Sequence, residues 1–215
     1  MSTTAPIAFD PPPEGPRPGL EQAIDFVNTT GLSKGRPFED LASSHAAIHW
    51  LQDAGYLLPE TAAAEQARLA ADPGHAEAAM RRLRAVRSGL RELIDALAEE
   101  RAPDRSAVEA VNGALALPES AQLVPAGDRV RLEARREGDP FDQALAAIAR
   151  SIAGEVSDGH PERLRICEND RCRWAFYDRS RPGTRRWCEM ASCGNRMKAA
   201  RHRARQRAGE GQAAG

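Results

Sequence analysis

Apolar positions recur at helical spacing through most of the first two thirds of the chain. Leu20, Ile24 and Val27 predict a helix that ends before Gly31. A second helix is predicted over Ser43 to Ala54, with Ala47, Ile48 and Leu51 inward and Gly55 at its end. A third runs from Pro59 to Ala71, closed by Asp72-Pro73-Gly74. The clearest stripe, Met80, Leu83, Val86, Leu90, Leu93, Ile94 and Leu97, predicts a long amphipathic helix over Ala76 to Glu100. Asp104 can cap a shorter one that buries Val108, Val111 and Leu115 before Pro118. The period then changes to two: Gln122-Leu123-Val124 and Arg129 to Glu133 flank Pro125-Ala126-Gly127-Asp128 and predict a hairpin. Asp139 as cap and Pro140 as first helical residue open a helix with Phe141, Leu145, Ile148, Ile152 and Val156 on one side. Residues 1–19 hold six prolines and are expected to be a disordered leader. The part from 20 to 156 is therefore mainly α with a small β-hairpin element, and 157–162, containing Ser157-Asp158-Gly159-His160-Pro161, is expected to be a linker.

Beyond that linker the composition changes. The net charge of −1 divides into a basic segment, Arg163 to Arg207, with 14 Lys and Arg against 4 Asp and Glu, and a remainder with 16 against 27. Such asymmetry points to a polyanionic partner or to contact with the acidic part. All four cysteines, Cys167, Cys172, Cys188 and Cys193, lie in the basic segment, spaced Cys-x4-Cys-x15-Cys-x4-Cys. Two pairs of thiolates can surround a tetrahedral zinc ion and close the loops of a segment too small for a core of its own. A disulfide framework needs an oxidising compartment, for which the sequence offers no sign, and the Cys-x2-Cys of a redox dithiol is absent.

Leu164-Arg165-Ile166 leads into a knuckle at Cys167 to Cys172, followed by a strand that places Trp174 and Phe176 on one buried face. Pro182-Gly183 suits the centre of a type II turn returning the chain as Arg185 to Cys188. A helix then starts by about Cys193 and runs to about Arg207, leaving 208–215 as a disordered tail. This order of knuckle, hairpin and ligand-bearing helix start is treble-clef-like. Its basic residues divide between the hairpin tip, Arg179, Arg181, Arg185 and Arg186, and the helix, Arg196, Lys198, Arg201, Arg203 and Arg205. Both groups are candidates for contact with phosphates.

Cys193-Gly194-Asn195-Arg196, after this cysteine array with Trp187-Cys188 and Phe176-Tyr177-Asp178, resembles the CGNR zinc finger. The preceding part, with Ile24-Asp25-Phe26-Val27-Asn28-Thr29 near its start, resembles the ABATE domain to which that finger is commonly fused in bacteria. The resemblance covers about residues 20–207. It implies the four cysteines as ligands of one structural zinc ion, and a stress-induced transcription regulator whose finger binds DNA.

Other chemistry is sparse. His45 and His49 share a helix face without a third ligand, and Asp25, Asn28 and Thr29 suit helix capping and local hydrogen bonds better than ligand binding. No nucleophile elbow, P-loop or dinucleotide fingerprint is present, so no catalytic residue is assigned. No apolar run approaches the ~20 residues of a membrane helix, and no secretory signal opens the chain, which makes the cytoplasm the expected compartment. The expectation is a zinc-dependent protein that binds double-stranded DNA through residues 163–207. The part from 20 to 156 then senses an unknown effector, meets a protein partner or forms a homodimer. The alternative is a zinc-stabilised docking module without nucleic acid; RNA stacking on an exposed Trp174, Phe176 or Tyr177 is a third reading.

Overall fold

A computed structural model describes residues 19–136 and 138–213. The leader expected over 1–19 lies outside them except for Gly19. Seven α-helices and three two-stranded antiparallel hairpins follow one another among the described residues.

Helix α1, Leu20–Val27, turns its four largest apolar residues, Leu20, Ile24, Phe26 and Val27, into the core. The chain then forms a hairpin that the apolar pattern did not show, β1 (Thr30–Ser33) and β2 (Arg36–Glu39). These strands are short and largely exposed, so they carry no alternating core face. Helices α2 (Ser44–Asp53) and α3 (Pro59–Ala71) lie close to the expected spans. Helix α4, Pro73–Ala98, begins earlier than expected: Asp72 accepts the His75 amide at 2.9 Å and Pro73 occupies the first turn, so Asp72-Pro73 opens this helix as well as closing α3. Its stripe holds, with Leu83, Leu90 and Ile94 wholly buried.

Helix α5, Arg105–Leu115, packs closely on α4: a Cβ at Gly89 would lie 2.8 Å from the Ala107 carbonyl oxygen. The predicted hairpin is present and longer, β3 (Glu119–Ala126) with β4 (Arg129–Arg136), and Leu123 and Val130 on it are exposed. Helix α6, Pro140–Asp158, is capped by Asp139, whose carboxylate accepts the amides of Phe141 and Asp142. Its last turn enters the segment expected as a linker, and a 3-10 turn, Pro161–Arg163, follows.

Helices α1, α4 and α6 meet around Phe26, Leu90, Phe141, Ile148 and Ile152. The same core continues into the cysteine segment. Strands β5 (Leu164–Ile166) and β6 (Ala175–Tyr177) form the third hairpin, and Leu164, Ile166 and Ala175 belong to the main core while Phe176 faces the cysteines. The expected return strand at 185–188 is absent. The turn before it spans Ser180 to Gly183, closed by the Gly183 amide donating to the Ser180 carbonyl at 3.1 Å, so Arg181-Pro182 is its centre and Gly183 its last residue. A π-helical turn, Met190–Gly194, leads into α7, Asn195–Ala213. Helix α7 passes the expected end at Arg207 because no proline interrupts an Ala- and Arg-rich run; the tail expected over 208–215 is helical to residue 213.

Candidate metal centre and basic surface

The backbone of the knuckle brings the first two cysteines together. The Cys167 amide donates to the Trp174 carbonyl at 2.8 Å, continuing the β5–β6 pairing by one rung. The amides of Cys172 and Arg173 both donate to the Asn169 carbonyl, at 2.8 and 3.0 Å, and Arg173 leaves the knuckle in a left-handed conformation, φ 58°. Asn169 is buried: its side-chain oxygen accepts the Arg171 amide and its Nδ2 donates to Cys193 Sγ at 3.3 Å. The second pair comes from the loop before the π-turn and from the turn itself. All four sulfurs lie within 4.8 Å of one another, and the Cys172–Cys188 and Cys188–Cys193 separations are 3.7 and 3.8 Å.

Those separations exclude disulfides, whose sulfurs lie at about 2.05 Å. They match the edge, about 3.8 Å, of a tetrahedron of thiolates about 2.3 Å from a central zinc ion. The sulfurs also differ electrostatically. A hydrogen bond from Cys188 holds the Cys167 thiol down to about 5, burial pushes Cys172 up to about 11, and Cys188, donating to Cys167, lies far above the ordinary thiol range. A central dication would stabilise the thiolate form of each ligand it meets.

Asp178, wholly buried beside this centre, orders the loop between the cysteine pairs. Burial opposes its charge, but the Ser180 and Arg185 amides donate to it at 2.9 and 2.8 Å, with Arg165 near, and hold its carboxyl below the usual range. Phe176 packs on the cysteines under the Arg185 guanidinium, 5.0 Å from its ring centre. Trp174, expected to be buried, is exposed: it precedes β6, directly after the left-handed Arg173, and its ring lies 6.4 Å from that of Phe38 on the β1–β2 hairpin.

The candidate phosphate-contacting residues fall into two groups. At the hairpin tip Arg179 pairs with Glu21 at 2.6 Å, Arg185 donates to the Trp187 and Cys188 carbonyls, and Arg186 pairs with Glu168. Arg201 lies over the Trp187 ring. By contrast Arg181, Arg196, Lys198, Arg203 and Arg205 are exposed and make no ion pair among the described residues. His45 and His49 bond to Gln66 and Asp53 separately and hold no shared site. The side chain of Asn195 donates to the Ala191 carbonyl at 3.2 Å, within the finger.

Sequence reasoning missed how the finger is held. Asn28 Nδ2 donates to the Ala175 carbonyl and its Oδ1 accepts the Ala175 amide, both at 2.9 Å and buried, so one side chain pairs the free edge of β6. Arg173 reaches Asp95 on α4 and Glu99 at its C-cap, Tyr177 donates to Glu155 on α6, and the Gly35 amide donates to the Arg171 carbonyl. Asn28 was visible within its motif, but no local signal reveals a partner 147 residues away.

Two known family models match the chain. The ABATE model, described as "Putative stress-induced transcription regulator", matches residues 21–159, and the CGNR zinc finger model matches 163–206. None of the curated proteins matches the chain. A CGNR finger with four cysteines drawn together takes one structural zinc ion. Among the described residues no helix is long and apolar enough to cross a membrane.

Proposed function

As the chain belongs to the ABATE family and ends in a CGNR zinc finger, we propose that it is a zinc-dependent regulator that binds double-stranded DNA through the outer face of that finger. Cys167, Cys172, Cys188 and Cys193 hold the zinc, which closes the knuckle against the start of α7 and so fixes the direction in which the helix leaves. The observation that carries the reading is the set of cations on the two flanks of α7, Arg196 and Arg203 on one and Lys198 and Arg205 on the other, exposed and without acidic partners among the described residues. Unpaired cations on a rigid helix are what neutralise successive phosphates, and Arg181 extends the set. Arg179, Arg185 and Arg186, which are already engaged, contribute less. Binding rather than catalysis is the role assigned.

The second reading, a docking module for acidic protein surfaces, draws support from the other face, where Arg173 and Arg179 pair with Asp95, Glu99 and Glu21 of the helical part. For that part a cavity of about 240 Å³ between α4, α5 and α6, lined by Val86, Ala114 and Leu145 beside the Arg82–Asp142 pair, is a place for a small effector.

The test is binding of zinc-loaded full-length chain to random duplex over a salt series. Four to six neutralised phosphates give a log–log slope of about −4 to −5. The quadruple variant Arg196→Gln, Lys198→Gln, Arg203→Gln, Arg205→Gln should abolish most of it. Folded, metal-bound protein with no affinity for duplex at low salt would transfer the outer face to the docking reading.

A further inference from the structure

The hairpin β1–β2 stands out because both its ends are fixed and neither fixture buries an apolar core. At its base the buried Arg87 of α4 donates to Glu39 at 2.8 and 2.5 Å and to Thr29 Oγ1 at 2.9 Å. At its tip, Lys34-Gly35, both residues have positive φ, 55° and 80°, giving the tight turn that suits a two-residue connection. The Gly35 amide donates to the Arg171 carbonyl at 3.0 Å, and Arg171 Nη2 donates back to the Lys34 carbonyl at 2.8 Å. The guanidinium lies so close that a Cβ at Gly35 would sit 2.9 Å from its Nε. On the hairpin side only backbone groups take part, so the Lys34 side chain is left out of the joint while the backbone that carries it is held.

That position matters. Lys34 and Arg171 line one wall of a cleft of about 500 Å³ whose other wall is α7, with Arg196 and Arg203 and a floor of Met197, Ala199 and Ala200. Four cations line this cleft and, among the described residues, no carboxylate does. On the far side of Lys34 and Arg196 a second cleft of similar size includes Cys172, Cys188, Cys193 and Glu189, where the charge of a tetrathiolate centre offsets the arginines. The first cleft is therefore the more strongly positive, and the small Ala199 and Ala200 leave room for a backbone to approach.

We propose that the cleft between the β1–β2 tip and α7 is a phosphate-tracking groove, in which Lys34 of the ABATE part and Arg171, Arg196 and Arg203 of the finger grip one strand of duplex DNA together. This rests on the DNA-binding reading of α7 and adds to it that the interface is composite. Two consequences separate it from a finger acting alone: Lys34 contributes to affinity although it lies outside the finger, and the register of the strand depends on how the helical part holds the hairpin.

The experiment compares zinc-loaded full-length protein with Lys34→Gln, Lys34→Arg and Arg203→Gln on one random duplex across a salt series. Lys34→Gln should weaken binding about five- to tenfold at ~0.1 M salt and make the slope shallower by about 0.9, the signature of one lost phosphate contact. Lys34→Arg should bind as the parent does. Unchanged affinity and slope in Lys34→Gln, with Arg203→Gln weakened, would overturn the composite groove and leave the α7 reading standing. Absence of binding by the parent protein would remove both. Equal losses in Lys34→Gln and Lys34→Arg, with unchanged slope, would show that Lys34 acts on the shape of the turn and would also overturn it.

Discussion

Asn28 makes two hydrogen bonds that no neighbouring residue can replace. Its amide serves as one residue of a strand, giving the free edge of β6 an acceptor and a donor inside the molecule. Asn28→Ala leaves the Ala175 amide and carbonyl buried without partners and should cost about 2–4 kcal/mol by denaturant titration. Asn28→Asp should recover part of this at most, since a carboxylate accepts the amide but cannot donate to the carbonyl. Glu39 and Asp178 set the response to acid. The hydrogen bond from Arg87 holds the Glu39 carboxyl below its ordinary value, and Asp178 is held low against burial by its amide donors. A lowered folded value contributes stability above the unfolded value of about 4 that is lost as pH falls through the folded one. These two carboxylates should therefore make stability decline as pH falls below about 4. Glu39→Gln should be less stable at neutral pH and less sensitive to acid, as read by melting at both pH values.

Among the elements, helices were the most legible. The stripe of α4 and the Asp139-Pro140 start of α6 are local chemistry, and their caps are formed as that chemistry requires. The β1–β2 hairpin was not legible, since its residues alternate toward no core and its place is set by Arg87 and Arg171 from elements far along the chain. The position of α5 depends on a glycine: Gly89→Ala drives a methyl group into the Ala107 carbonyl, so α5 must shift. A loss of about 1–3 kcal/mol is expected, with no change in metal content, and a thermal melt beside a zinc assay checks both.

At the scale of the whole molecule, the finger and the helical part share a core through Leu164, Ile166 and Ala175. The expected division at 157–162 places a boundary where this packing is continuous in space. Chelation removes the closure of the knuckle and should thereby loosen β6, Asn28 and the facing ends of α4 and α6. One melting transition displaced to lower temperature is expected, with Cys188→Ser behaving alike. Two separate transitions, the helical one unmoved, would show instead that the parts fold independently.

The sequence by itself determined the helices, the cysteine cluster and the charge asymmetry, because spacing, capping and ligand chemistry act over a few residues. Family membership could be read there too, in Ile24 to Thr29 and in Cys193 to Arg196. Only the tertiary structure decided which arginines are engaged, that Trp174 is exposed, and that Asn28 and Lys34 meet the finger. The physical reason is separation along the chain. A cation is neutralised by whichever carboxylate the fold brings near, and a strand edge is satisfied by whichever side chain arrives there. Neither leaves a periodic trace in the residues on either side.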